Sequence, residues 1–134
     1  MTVLVEKLPD EPIIVADLIE PMDYYKDIPE MFARIVELRD TIVGCSKYYA
    51  IIDMSGIKAD FSEIVFSLSE ARKASKRRLV EFPVSVHLVG TGDLFEMVAN
   101  AAAQVQYGGY KAPLYKTRQE ALDAIHTDLA NESA

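Results

Sequence analysis

The stretch IIDMSGIKADFSEIV, residues 51–65, decides the fold. It leaves an apolar run, crosses a polar turn between Asp53 and Asp60, and enters a segment whose apolar residues return at helical spacing. Upstream, YYAIIDM (48–54) is short, apolar and aromatic, as a mostly buried strand is. Strand, turn and helix in that order make the repeating unit of a parallel sheet.

The same alternation continues outward. Towards the N-terminus, Val3 and Val5, then Ile13 and Val15, flank KLPDEP, whose turn residues suit an antiparallel hairpin over residues 2–20. Ile28, Phe32, Ile35, Leu38 and Ile42 then mark a first helix that Gly44 closes. Towards the C-terminus, Phe61, Ile64, Val65, Leu68 and Ala71 mark a second helix, and FPVSVHLV a strand with Pro83 at its entrance. Phe95, Val98, Ala102 and Val105 give a third helix that stops at Gly108 and Gly109. APLYK is short enough for an edge strand, and Ala121, Leu122, Ile125 and Leu129 form a last helical face. The expectation is one α/β domain over residues 1–134. A hairpin is followed over 27–130 by alternating helices and strands, giving a mostly parallel sheet of four to five strands with about four helices.

A chain of 134 residues that is 50% apolar can bury one substantial core. No window reaches the roughly 20 apolar residues of a membrane span, and MTVLVEKLPDEP lacks the basic start and apolar run of a signal peptide. A cytoplasmic protein is expected. The single cysteine, Cys45, excludes an internal disulfide and a multi-thiolate zinc site, and no metal or cofactor is expected. With 21 acidic against 14 basic residues the net charge of −7 repels phosphate backbones, which argues against nucleic acid. The basic run ARKASKRR (71–78) opposes that balance, but Lys76, Arg77 and Arg78 fall at an expected helix end, where cations complement the dipole.

Four expected helix starts share one form: Asp27 with Glu30, Asp60 with Glu63, Asp93 with Glu96, and Thr117 with Glu120. In each, a cap side chain accepts a first-turn N–H and a glutamate three residues on reaches back. Repetition at every start makes capping a better account of Asp60 and Glu63 than catalysis. Asp53 is not a cap. It ends a strand where open α/β sheets place ligands, yet a turn in which its carboxylate accepts N–H groups of MSG accounts for it without chemistry.

IIDMSGIKADFSEI also resembles the strand, loop and helix start of the anti-sigma factor antagonist, or STAS, superfamily, in which a D-L-S-G-V segment leads to D-S-S-G-L and a helix. PLYKTRQEALDAI is similar to the closing strand and helix of that family, and the likeness is greatest to the small bacterial SpoIIAA-like members. In signalling members a partner kinase phosphorylates the first serine of D-S-S-G. Here Asp60 matches the aspartate, Phe61 stands at the phosphoacceptor, Ser62 matches the second serine and Glu63 replaces the glycine. The usual phosphoacceptor is absent, and Ser62, flanked by Asp60 and Glu63, is a weak substitute. The resemblance implies a non-catalytic regulatory or adaptor domain that docks a protein partner or itself, with Asp53, Ser55, Gly56, Asp60 and Ser62 as the docking or ligand loop. A small-molecule or lipid carrier is the alternative, for which Tyr24, Tyr25, Tyr48, Tyr49 and the five methionines would line an apolar pocket.

Two other motifs carry less. LVGTGD (88–93) places Gly90, Thr91 and Gly92 between a strand and a helix, as an anion site would. It lacks a third glycine and a lysine, and Asp93 would fill the phosphate position with its own charge. Cys45 and His87 could form a nucleophile and base, but both read more simply as packing residues.

Overall fold

The computed structural model describes residues 3–42, 47–58, 60–78, 84–102 and 113–133. Gly44, Cys45, Pro83, Val105, Gly108 and Gly109 lie outside the described residues, as do the side chains of Phe61, Leu68, Ala71, Lys76, Arg77, Arg78, Val98 and Ala102. In chain order the elements are β1 (Val3–Lys7), β2 (Ile13–Ile19), α1 (Tyr24–Arg39), β3 (Tyr48–Gly56), α2 (Phe61–Arg78), β4 (Val84–Val89), α3 (Asp93–Ala102), β5 (Leu114–Tyr115) and α4 (Arg118–Ser133). The strands form one five-stranded sheet in the order β1-β2-β3-β4-β5. β1 is antiparallel to β2, and each later pair is parallel. The hairpin turn closes with the Leu8 N–H donating to the Ile13 carbonyl at 2.9 Å, and Asp10 takes the positive φ of 59° that a tight turn asks for.

Every crossover steps one strand further in the same direction, so crossovers of one hand lay α1, α2 and α3 on the same face. Strand alternation then divides the core in two. Ile14, Ala16, Tyr48, Ile52 and Leu88 meet Ile28, Met31, Ile35, Ile64 and Phe95 beneath those three helices. Ile13, Val15, Tyr49, Ile51 and Val89 meet Ala121 and Ile125 of α4 on the other face. β3 is buried without interruption from Tyr48 to Met54, because both of its faces are covered.

Two helix starts differ from the sequence expectation. α1 begins before Asp27 and Glu30. Asp23 is its cap, accepting the Tyr25 N–H at 3.1 Å, while Asp27 accepts the Asp23 N–H at 3.0 Å. The earlier start brings Tyr24 into the core and leaves Pro29 inside the helix. Asp27 is therefore the reach-back partner rather than the cap, and Glu30 lies well past the first turn. In α3 the Gly92 carbonyl accepts from the Glu96 N–H at 3.1 Å, so Gly92 is the cap and Asp93 the first helical residue. Gly92 has φ 113°, a conformation open to glycine and costly for other residues.

At α2 the pair is reciprocal: the Asp60 N–H donates to Glu63 at 2.9 Å and the Glu63 N–H to Asp60 at 2.8 Å. At α4 the Glu120 N–H donates to Thr117 Oγ1 at 3.2 Å, and the Glu120 carboxylate accepts the Lys116 N–H at 3.3 Å, one residue before the cap.

Candidate functional site

The parallel strands β2 to β5 end where all four helices begin, and the polar residues singled out in the sequence gather there. Asp17 and Asp53 are register partners on β2 and β3 and stand side by side on the α4 face. Arg118, the first residue of α4, lies against both. Its Nε and Nη2 donate to Asp53 Oδ2 at 3.1 and 2.9 Å, and Nη2 is 3.2 Å from Asp17 Oδ2. The other Asp53 oxygen accepts the Ser55 N–H at 3.0 Å and the Ser55 hydroxyl at 2.5 Å. This is the carboxylate-to-backbone bond the sequence suggests, with an arginine added, but it is made within β3, which runs on to Gly56.

Burial alone would push the Asp53 carboxyl up, but the bonds from Ser55 and the Arg118 guanidinium outweigh it and hold the group below the ordinary carboxylate range. Burial opposes the charge of Arg118, but its bonds to Asp53 and Asp17 outweigh it and push the guanidinium further up. A carboxylate engaged on both oxygens and held ionised is suited to fixing backbone, and poorly suited to accepting a proton.

The neighbouring loop is fastened to the β2–α1 connection. Glu20 accepts the Lys58 N–H at 2.9 Å, and the Tyr24 hydroxyl donates to the Lys58 carbonyl at 2.8 Å. Burial, and then the charges of Glu20 and Glu63, push that hydroxyl well above its usual range, so it stays protonated and donating. Gly56 closes the approach of β3 to β2 after a register shift. A Cβ there would stand 3.1 Å from the Leu18 carbonyl oxygen, tighter than a side chain normally packs. Between these fixed points Ser55, Lys58, Asp60 and Ser62 are exposed, with Ser62 at the second position of α2.

Gly90 and Gly92 have structural roles of their own. A Cβ on Gly90 would meet the Phe95 ring at 2.9 Å, and Gly92 caps α3 beside the carboxylates of Asp93 and Glu96. His87 lies inside the α4 face rather than at the strand ends. Its Nε2 is 3.1 Å from the Ser85 hydroxyl and its Nδ1 3.3 Å from the Tyr115 hydroxyl, with the Tyr115 ring stacked at 5.6 Å between centroids. Burial lowers its pKa, which favours the neutral ring. The imagined partner Cys45 lies outside the described residues; Ser85 and Tyr115 are the neighbours found.

Sequence reasoning missed Arg118, Asp17 and Glu20, and it offered Tyr24 as a pocket-lining ring rather than as the tie to the Lys58 carbonyl. One signal was available for the first: a cation at the positive end of a helix dipole is unfavourable by itself and implies a nearby anion. Among the described residues no three His, Cys, Asp or Glu side chains gather as a metal site, and no helix is long and apolar enough to cross a membrane. No known protein family, curated protein or solved structure matches the chain.

Proposed function

We propose that the protein is a non-catalytic regulatory or adaptor domain that docks a protein partner through the end of the sheet where its strands finish, with the loop from Asp53 to Ser62 as part of the contact. One observation carries this reading. The carboxylates of that loop are spent on holding its shape, Asp53 on Ser55 and Arg118, Asp60 and Glu63 on each other's backbone N–H, while Ser55, Lys58 and Ser62 remain exposed on a loop fixed by Glu20 and Tyr24. A preformed polar surface loses little conformational entropy on association, which suits recognition. The likeness of IIDMSGIKADFSEI to anti-sigma factor antagonists points the same way, with Phe61 in place of the phosphoacceptor, so docking here is not switched at that position.

Native mass spectrometry of the protein purified gently from its own cells tests the reading. A heteromeric or self-associated species that dissolves when Ser62 is replaced by a bulky Trp supports it. A bare monomer carrying a stoichiometric small-molecule adduct replaces it with the carrier reading.

A further inference from the structure

α1, α2 and α3 lie side by side on one sheet face, and each begins with the same chemistry. Among the described side chains, the first five residues of each helix include one large apolar side chain in water: Tyr25, Val65 and Met97, exposed by 57%, 37% and 37%. Beside each stand two carboxylates, Asp23 and Asp27, Asp60 and Glu63, Asp93 and Glu96. The Tyr25 ring packs on Phe66 at 4.7 Å between centroids, which joins the starts of α1 and α2 into one surface. Capping accounts for the carboxylates of α1 and α2. It does not account for those of α3, whose cap is Gly92.

α4 provides the contrast. It begins with Arg118, Gln119 and the carboxylate of Glu120 on the opposite face, and its early apolar residue Ala121 is fully buried, so no exposed apolar anchor accompanies the acid. The combination of exposed apolar anchor and paired carboxylates therefore belongs to the three-helix face. It is not a general property of helix starts in this chain.

We infer that this end of the three-helix face is a docking surface for a basic protein segment that carries apolar side chains, such as an amphipathic helix with Lys and Arg flanking its apolar stripe. The inference rests on the docking reading above and names the chemistry of the partner. Tyr25, Val65 and Met97 supply apolar area that water leaves unsatisfied, and the surrounding carboxylates favour cations at the rim. Lys26 and Lys58 are cations of the adjoining segments, against the carboxylates of Asp23, Asp60, Glu63, Asp93 and Glu96. Nucleic acid and anionic lipid would be repelled by the same charges. An amphipathic helix that lays its apolar face on apolar anchors is an established mode of recognition, and complementary charges at the rim fix its register.

The test uses the full chain and three synthetic peptides: a helix-forming peptide with a Lys/Arg face and a Leu/Phe face, the same peptide with Glu for every Lys and Arg, and a scramble of the first that breaks its apolar face. Fluorescence anisotropy reads affinity and backbone amide shifts read location. The basic amphipathic peptide is expected to bind, to weaken about tenfold from low to physiological salt, and to shift amides in the first two turns of α1, α2 and α3. Replacing Tyr25, Val65 and Met97 together by Ser, at exposed positions that leave the far-ultraviolet dichroism unchanged, is expected to weaken binding by about tenfold or more. Equal binding of the scramble, shifts centred on α4, or binding that survives the triple variant overturns the inference. So does failure of every peptide to bind. Tighter binding of the Glu peptide at the same residues also overturns the basic partner while leaving docking intact, and the docking reading itself stands or falls on the native mass measurement.

Discussion

The two faces of the sheet are held by different forces. Beneath α1, α2 and α3 the contacts are almost wholly apolar, Ile14, Ile28, Met31, Ile52 and Phe95 among them. The α4 face has a smaller apolar centre around Ile13, Ile51 and Ile125, and polar ties fasten the helix along its length. Arg118 holds its start to Asp53 and Asp17. His126 meets Glu11 at 3.0 Å in its middle, and Asp128 lies 3.4 Å from the Tyr49 hydroxyl and 3.7 Å from Lys47 Nζ. The three-helix face resists changes of pH and salt, whereas the attachment of α4 depends on ionisation. α4 packs on β3, β4 and β5, and charges supplement its narrow apolar stripe.

The contrast can be broken most directly at the apolar centre of the weaker face. Ile125→Ala removes a side chain that is fully buried, and unfolding in urea should show a loss of about 3 kcal/mol. A loss below about 1 kcal/mol would mean that α4 is held by its charges alone. Next in size, Arg118→Met leaves the nearly buried Asp53 carboxylate without its cation. Stability should fall by about 2 kcal/mol, less than for a fully buried pair because the arginine is partly in water. Pairing that change with Asp53→Asn should restore part of the loss; strict additivity of the two would show that they do not interact.

On the other face, Asp60→Ala removes one half of the reciprocal cap of α2 and should cost about 1 kcal/mol, unchanged between low and moderate salt apart from the dipole contribution. The smallest effect is that of pH on His87. Burial lowers its pKa from the ordinary 6.5, so as pH falls below that value the unfolded chain takes up a proton before the folded one does. Stability is retained above 6.5 and declines as pH drops towards the folded-state pKa. In His87→Phe that step should disappear from the stability curve, while the loss that accompanies protonation of Asp53, below the ordinary 3.8, should persist. A wild-type curve flat from pH 7 to pH 5 would remove His87 from the account.

The order of strands and helices was legible because each element carries its own period: Val3 and Val5 alternating, Ile28, Phe32 and Ile35 at helical spacing, YYAIIDM without a break. The starts of α2 and α4 were legible for the same reason, since a cap and its glutamate are local. α1 misled because two aspartates compete. Asp27 has Glu30 at the expected spacing, but Asp23 wins by letting Tyr24 bury its ring and bond the Lys58 carbonyl. The bond from the Ser55 N–H to the Asp53 carboxylate was expected, although β3 runs past Asp53 to Gly56 rather than ending there. The arginine that Asp53 meets, 65 residues away, could not be found by spacing, because a tertiary pair leaves no periodic trace. The exposed trio Tyr25, Val65 and Met97 was hidden for the converse reason: two of the three sit among the apolar runs that mark helices, and only packing shows which members face water.

The strand order β1-β2-β3-β4-β5 has a consequence for how the chain is made. Each strand leaves the ribosome directly after the neighbour it will pair with, so every new βα unit meets an edge already in existence and loop closures stay short. Assembly can run in step with synthesis. The α4 face is the exception, since Asp17 and Asp53 are translated long before Arg118. Their carboxylates must remain hydrated until the final helix arrives and its docking sets one guanidinium against both.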